Sequence, residues 1–142
     1  MIIDSFGMYK VVEEWLIANN ITNYKIIKNA DRQNPKEPKY IIDVSGDVNI
    51  IGYNKESEFP SYIKFGKISG NFICSYSKLT SMRGFPETVD KNFDISFSRI
   101  TSLEDAPTEV NNFVACGLPF TEQQIREKIQ EMKKLIKGKV YC

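Results

Sequence analysis

A segment of 21 residues occurs twice in tandem, and this repetition constrains the fold more than any other feature of the sequence. Residues 69–89 read SGNFICSYSKLTSMRGFPETV, and residues 90–110 read DKNFDISFSRITSLEDAPTEV. Matching residues occupy the same positions of the two copies: Phe72 and Phe93, Leu79 and Ile100, Met82 and Leu103, Pro86 and Pro107, Val89 and Val110. Apolar residues at a fixed period of this length are typical of a solenoid, in which each repeat buries its apolar side against the next.

Weaker copies flank the two good ones. A third copy, NNFVACGLPFT, diverges from Gly117 onward, so the pattern predicts that the solenoid ends there. Before the first good copy, Val48 takes the position of Phe72 in a degenerate repeat. The repeats therefore predict a solenoid over residues 45–120, with about three to four coils built on a parallel sheet.

The region before the repeats has the patterns of a helix and a hairpin. Apolar residues at helical spacing predict the helix, and they are Met8, Val11, Val12, Trp15 and Leu16. Such a face either covers the open end of a core or binds a partner; the first interpretation is favoured, because a solenoid must cover its end layers. Tyr24–Ile27 and Tyr40–Val44 are rich in β-branched and aromatic residues and predict the hairpin. Residues 1–44 are thus expected to form an N-terminal cap.

The region after the repeats has the pattern of a second helix. Thr121 and Gln124 have the spacing of a capping box. One apolar helical face follows, made of Ile125, Ile129, Met132 and Ile136, and Gly138 is the predicted stop. Residues 121–142 are therefore expected to be a C-terminal capping helix. The whole prediction is a single α/β domain over residues 1–142, a short leucine-rich-repeat-like solenoid with a parallel sheet.

The repeat core resembles the leucine-rich-repeat consensus LxLxxNxLxxL, and its SLxxxP-type tail resembles the short bacterial subclass. The whole chain is similar to small repeat proteins of large tailed bacteriophages, through the segments IDVSGDVN, KFGKISGNFICS and PFTEQQI and the final GKV. The resemblance implies a repeat fold and a phage setting, and it brings no catalytic motif. Ser77 and Ser98 stand where the consensus has asparagine, and serine reaches backbone groups less far.

Composition narrows the classes of function. The chain has no histidine, which removes Ser-His-Asp catalysis, histidine zinc sites and histidine acid–base chemistry. A net charge of +1 argues against a DNA mimic and against a strongly basic nucleic-acid binder. An odd number of cysteines without CxxC favours reduced thiols in a cytoplasm, and no apolar run is long enough to span a membrane. We expect a cytoplasmic protein that is not an enzyme and has no cofactor or metal.

Residues that face outward from the sheet are the candidate partner-binding residues. Outward positions of successive coils stack as ladders, and their mixed apolar and polar character suits a protein contact. The candidates are Asn49, Ile51, Asn71, Ile73, Ser75, Tyr76, Asn92, Asp94, Ser96, Phe97, Val114 and Cys116.

Two sets among these candidates have alternative interpretations. Asn71 and Asn92, with Asn112, could instead form a structural amide ladder. Tyr76 and Phe97 continue the inward alternation of their strands, so a place in the core is favoured for them over the surface.

The leading functional hypothesis is a phage accessory protein that binds a host protein, for example a defence factor, and inhibits or redirects it. The first alternative is nucleic-acid binding through the C-terminal helix, whose basic residues are Arg126, Lys128, Lys133, Lys134, Lys137 and Lys139. Because glutamates are interleaved with these residues, a solvated helix face is the better interpretation, and a nucleic-acid partner is not expected. The second alternative is a structural virion component or a self-assembling homo-oligomer.

Overall fold

The N-terminal helix covers one end of the core. The computed structural model describes residues 5–142. In it α1 (Ser5–Ala18) buries Val12, Trp15 and Leu16. The Trp15 ring lies 5.3 Å from the ring of Phe59 and 6.2 Å from that of Phe65, measured between centroids. This packing supports the interpretation of α1 as a cover for the first coil.

The predicted hairpin is confirmed. β1 (Tyr24–Lys28) pairs antiparallel with β2 (Tyr40–Val44), and Tyr24 lies opposite Val44. Tyr24 also donates a hydrogen bond of 3.0 Å from its hydroxyl to Glu13, which ties the hairpin to α1. The hairpin joins the solenoid because β2 pairs parallel with a strand of the next coil.

Two parallel ladders of strands form the solenoid. The remaining strands are β3 (Val48–Asn49), β4 (Phe65–Ile68), β5 (Phe72–Ile73), β6 (Thr88–Asp94), β7 (Glu109–Val114), β8 (Leu135–Ile136) and β9 (Val140–Tyr141). The first ladder runs through β2, β4, β6, β7 and β8, and the second runs through β3, β5, β6, β7 and β9. β6 and β7 are long enough to belong to both ladders. The chain makes about three turns of strands and loops, followed by a last turn that contains a helix.

The register confirms the sequence repeat. Phe72 pairs with Phe93 and Phe93 pairs with Phe113, so the aromatic position of each copy stacks on the next. The ring centroids of Phe72 and Phe93 are 6.1 Å apart, and those of Phe93 and Phe113 are 5.1 Å apart. All three side chains are fully buried. Phenylalanine stacking through the solenoid interior therefore fixes the position of each coil on the one before.

A ladder of polar side chains holds the bend between the two ladders of strands. Asp47 accepts a hydrogen bond from the Asn71 amide at 2.7 Å, and Asn71 accepts one from the Asn92 amide at 2.9 Å. Asn112 donates from its side chain to Asn92 at 2.9 Å and accepts from the Lys139 amide at 2.8 Å. Regular strand pairing is interrupted at this bend, so the side chains satisfy backbone donors there. This geometry supports the structural interpretation of the asparagines.

The end of the chain differs from the prediction. The capping box at Thr121 is confirmed, but α2 (Glu122–Glu131) ends well before Gly138. Lys133 turns the chain with a left-handed backbone at φ 59°, and β8 and β9 then add a further rung beside β7. The predicted end of the solenoid at Gly117, and the predicted helical place of Ile136, are therefore wrong. The physical reason is that the free edge of β7 offers hydrogen-bond partners, such as the Val110 carbonyl for the Lys137 amide at 3.0 Å.

Candidate functional site

The outward face of the second ladder holds the candidate residues, and we call it the outward face. Its first row runs across successive coils in the order Asn49, Ile73, Asp94, Val114 and Tyr141. The side chains of Asn49 and Tyr141 are exposed, and the three between them are half-buried. Tyr141 was not among the predicted site residues, because no strand was expected after the predicted helix stop at Gly138. This row mixes apolar and polar groups without a dominant charge.

The next row is less accessible than predicted. Ser75 and Ser96 were expected to face outward, but they are only 6% and 5% exposed. The Ser96 hydroxyl accepts a hydrogen bond of 2.9 Å from the Cys116 amide, so it belongs to the backbone network of the turn. Ile51 in the same row is 55% exposed, and Cys116 is half-buried. The two serines therefore form the floor beneath the outward face.

Tyr76 and Phe97 form an exposed aromatic stack, which we call the stack. Their side chains are 64% and 49% exposed, so the favoured interpretation as core residues is wrong. The ring centroids lie 4.8 Å apart and the ring planes differ by 16°. Both residues have a left-handed backbone with φ 56°, which breaks the in–out alternation of the strand and directs the rings outward.

The same left-handed position recurs in every coil of the second ladder up to β7. Gly52 (φ 75°) and Gly117 (φ 74°) are the matching residues in the neighbouring coils. Glycine adopts this conformation freely, whereas a residue with a side chain pays about 1–2 kcal/mol. Two aromatic residues therefore stand at positions where the backbone favours glycine. This aligned glycine pattern was the sequence signal that could have revealed the exposure of the stack.

Backbone hydrogen bonds hold the strained residues in place. The Tyr76 amide donates to the Ser96 carbonyl at 2.9 Å, and the Phe97 amide donates to the Cys116 carbonyl at 2.9 Å. Strain of this kind persists where surrounding structure enforces it, and it concentrates at sites of function. Because these two aromatic side chains are exposed and their backbone is strained, they contribute little to the stability of the core. They make the stack the strongest candidate site on the described part of the chain.

The left-handed backbone at Tyr76 predicts an inverted stability order for substitutions there. We expect Tyr76→Gly to have a free energy of unfolding about 1 kcal/mol higher than Tyr76→Ala, because only glycine avoids the strain. At an ordinary strand position alanine is the more stable of the two, and Lys67 in β4 provides that comparison. Urea denaturation of the four variants measures both differences. An alanine variant at 76 as stable as the glycine variant would contradict the assigned backbone.

Unpaired cations border the stack. Lys78 and Arg99 follow Tyr76 and Phe97 by two residues in successive coils, and Lys55 lies in the coil before them. All three side chains are exposed and make no ion pair within residues 5–142. These cations were not among the predicted site residues, because isolated basic residues carry no signal in the sequence until the register of the coils is known.

A wide concavity lies on the first ladder, beneath the hairpin loop. It has a volume of about 770 Å³. Lys64 and Glu87 line both this concavity and a smaller one of about 310 Å³. The Lys64 ammonium lies 2.9 Å from Glu87 and donates to the Phe85 carbonyl at 2.6 Å. Burial acts to raise the pKa of Glu87, but hydrogen bonds from Lys64 and Thr108 lower it overall. The pair is thus mutually satisfied and serves to join neighbouring coils.

Two of the three thiols are not activated, and residues 5–142 assemble no metal site. Cys74 is buried, and burial together with the charge of Asp94 raises the pKa of its thiol. Cys142 is exposed, and slight burial followed by the charge of Glu122 raises its pKa as well. Neither thiol is activated as a nucleophile, since the thiolate is the reactive form. Within the same residues, no group of three potential metal ligands comes together.

The basic residues of the C-terminal region do not share one helix face. Arg126 pairs with Glu122 at 2.8 Å on α2, whereas Lys137 lies beyond the helix and pairs with Glu109 at 3.4 Å. The Lys134 ammonium donates to a backbone carbonyl, that of Ala106. These charges are largely engaged within the protein, which weakens the nucleic-acid alternative.

Comparison with protein families, with characterised proteins and with solved structures finds no match to this chain. Among the described residues, no helix has the length and apolar character needed to cross a membrane. The assignment of function therefore depends on the geometry of the outward face.

Proposed function

We propose that this protein is a non-enzymatic binding module that recognises a partner protein through the outward face, with the stack at the centre of the contact. The observation that carries the proposal is the exposure of Tyr76 and Phe97 in a strained backbone. Aromatic residues and arginine are enriched where binding energy concentrates in protein interfaces. Ile51 and Tyr141 add accessible aliphatic and aromatic surface, and the exposed Arg99 follows Phe97 by two residues.

Rigidity of the stack supports the same proposal. The two rings already lie against each other before any partner binds, and their backbone is fixed by hydrogen bonds to the next coil. A preorganised aromatic surface loses little conformational entropy on association. The half-buried row of Ile73, Asp94 and Val114 extends this surface across the strands. The result is one compact contact area instead of a long groove.

The proposal extends to the identity of the protein. The matching residues of the two repeats support a relation to short leucine-rich repeats, and the stacked parallel coils agree with such an architecture. The wider sequence resemblance supports a phage accessory protein that acts in the host cytoplasm. Its partner is then a host protein, such as a defence factor, which it inhibits or redirects.

Affinity purification from host cells tests the proposal. We expect the wild-type chain to retain a defined protein, and the Tyr76→Gly/Phe97→Gly variant to retain at least about tenfold less of it, because two central contacts are removed. Both substitutions place glycine where the backbone favours it, so the fold is preserved. Quantitative mass spectrometry of the eluates measures the loss.

A matched control removes exposed apolar side chains elsewhere. Ile17 on α1 is 61% exposed and Ile27 on β1 is 37% exposed. The Ile17→Ser/Ile27→Ser variant should retain the partner at the wild-type level. Recovery of no specific protein by the wild type, or equal recovery by the stack variant, would exclude the outward face as the binding surface.

A further inference from the structure

We infer that the segment bound by the outward face is an acidic peptide of the partner that places an aromatic ring on the free face of Tyr76, above Gly52; this inference rests on the proposed function. It specifies the chemistry of the ligand, which the proposed function leaves open. Three observations carry it: the direction of the stack, the open position at Gly52, and the unpaired cations beside them.

The stack has one covered end and one free end. A methyl group built on Gly117 would lie 2.4 Å from the Phe97 ring, so that ring lies over Gly117 and is covered on this side. The other face of Phe97 is covered by Tyr76 at 4.8 Å. Of these two rings, that of Tyr76 alone has a face without an aromatic neighbour, and its side chain is 64% exposed.

The position beyond Tyr76 in the same ladder is empty of side chain. The Gly52 amide donates a hydrogen bond of 2.8 Å to the Ser75 carbonyl, which joins the Gly52 turn to the coil that contains Tyr76. A methyl group built on Gly52 would have nothing within 4 Å. Neighbouring strands are about 4.7–4.9 Å apart, which suits the spacing of stacked rings. A ring that enters above Gly52 therefore continues the stack of Tyr76 and Phe97 by one position.

Ile51 adds exposed apolar surface next to the open position above Gly52. It precedes Gly52 and is 55% exposed, although the equivalent residues of the next two coils are buried serines. An aromatic ring above Gly52 would cover this aliphatic side chain as well as the Tyr76 face. Burial of both surfaces favours a large aromatic side chain over a small polar one.

The charges beside the stack favour acidic flanks. Lys55, Lys78 and Arg99 are exposed and make no ion pair within residues 5–142, whereas Arg83 on the same coils pairs with Glu58 at 2.6 Å. The Lys78 amide donates to the Tyr53 carbonyl at 2.8 Å, which places Lys78 next to the Gly52 turn. Carboxylates that flank an aromatic residue can reach such cations.

The acids near this surface are turned to other partners. Asp94 accepts a hydrogen bond of 2.8 Å from the Ser96 amide, and Asp47 accepts one of 2.7 Å from the Asn71 amide. A nucleic acid, whose phosphate charge is dense, requires more cations in one place than the three beside the stack. An acidic peptide is therefore favoured over an oligonucleotide.

Selection from a random dodecapeptide display library tests the inference. The immobilised wild-type chain is the target, and the Tyr76→Gly/Phe97→Gly variant is used for counter-selection. We expect enriched peptides to contain an aromatic residue flanked by Asp or Glu, and to bind the wild type at least about tenfold more tightly than the variant. Fluorescence anisotropy of labelled peptides measures the affinities.

Three substitutions test the geometry with the selected peptide. Gly52→Tyr should reduce the affinity for the peptide at least about tenfold, because the new ring fills the open position above residue 52. Tyr76 already has a tyrosine side chain on the same left-handed backbone, so the fold tolerates one there. Lys78→Ser should weaken binding severalfold and reduce its salt dependence. Lys91→Ser, at an exposed lysine in the bend between the ladders, should leave the affinity unchanged.

The outcomes separate this inference from the proposed function. Basic or non-aromatic peptides that still require the stack would overturn the inference and leave the binding face intact. Tighter binding of a fluorescent oligo(dT) than of any selected peptide would overturn both. No enrichment of wild type over the stack variant would also count against the face itself, and a Gly52→Tyr variant that binds normally would contradict the position of the ring.

Discussion

Phe93→Ala is expected to lower the free energy of unfolding by about 3–5 kcal/mol, whereas Phe97→Ala should lower it by only about 1 kcal/mol. The two residues are the same amino acid on one turn of chain, but Phe93 is fully buried and Phe97 is 49% exposed. Phe93 also contacts the rings of Phe72, Phe85 and Phe113, so its removal leaves a cavity between three coils. Urea denaturation curves measure the difference.

The pair also separates stability from binding. Phe93→Ala should keep its affinity for the partner at temperatures where it stays folded, while Phe97→Ala should lose affinity with little change in stability. Equal stability losses for the two variants would mean that the Phe97 ring is packed in the core. Such a result would remove the main support for the stack as a recognition surface.

The repeat could be predicted in register because its core positions are large and regularly spaced. Phe72, Phe93 and Phe113 stack in the structure as their alignment requires. The hairpin and the cover role of α1 followed from equally local patterns, since Trp15 and its neighbours form one continuous apolar face. Side chains that fill the interior leave a strong periodic signal, because each coil must bury the same surface.

The stack could not be placed from alternation alone. Side chains alternate only while the backbone stays extended, and a left-handed residue reverses the direction of the side chain. Tyr76 and Phe97 have φ 56°, so their apolar character suggested core where the backbone directs them to solvent. The aligned Gly52 and Gly117 carried the missing information. An apolar residue that alternates with glycine in the same repeat position indicates a left-handed backbone.

The cations and the buried serines required the tertiary register. Ser75 and Ser96 appear outward by alternation, but both side chains are buried, and the Ser96 hydroxyl accepts a hydrogen bond from the Cys116 amide of the next coil. Lys78 and Arg99 follow the stack residues by two positions, but they become neighbours of one another and of the Gly52 turn only because successive coils align. Residue type and spacing within one coil contain no information on such neighbours across coils. The C-terminal rung escaped prediction for a related reason, since strands of two residues are too short to show a period.

Val140→Asp is expected to lower the free energy of unfolding by about 3 kcal/mol, because β9 places Val140 in the apolar core of the last coil. Val140 is 8% exposed and pairs with Phe113, whereas the next residue, Tyr141, is 45% exposed on the outward face. An unpaired carboxylate at the first position has no partner to offset its burial. Tyr141→Asp should therefore change stability by less than about 1 kcal/mol, and thermal or urea denaturation measures both values.

Lys133→Gly provides an opposite-sign control on the same region. A helix that continued to Gly138, as the apolar spacing of Ile129 and Ile136 suggests, would lose about 1 kcal/mol with glycine at 133. The left-handed backbone of Lys133, at φ 59°, instead predicts a gain of about that size, because glycine removes the strain that the lysine carries there. A destabilised Lys133→Gly variant, together with equal effects of Val140→Asp and Tyr141→Asp, would show that no strand follows α2. If Lys133→Gly is stabilised and Val140→Asp is more destabilising than Tyr141→Asp, then β8 and β9 follow α2 as an added rung. Only a strand directs the side chains of Val140 and Tyr141 to opposite sides.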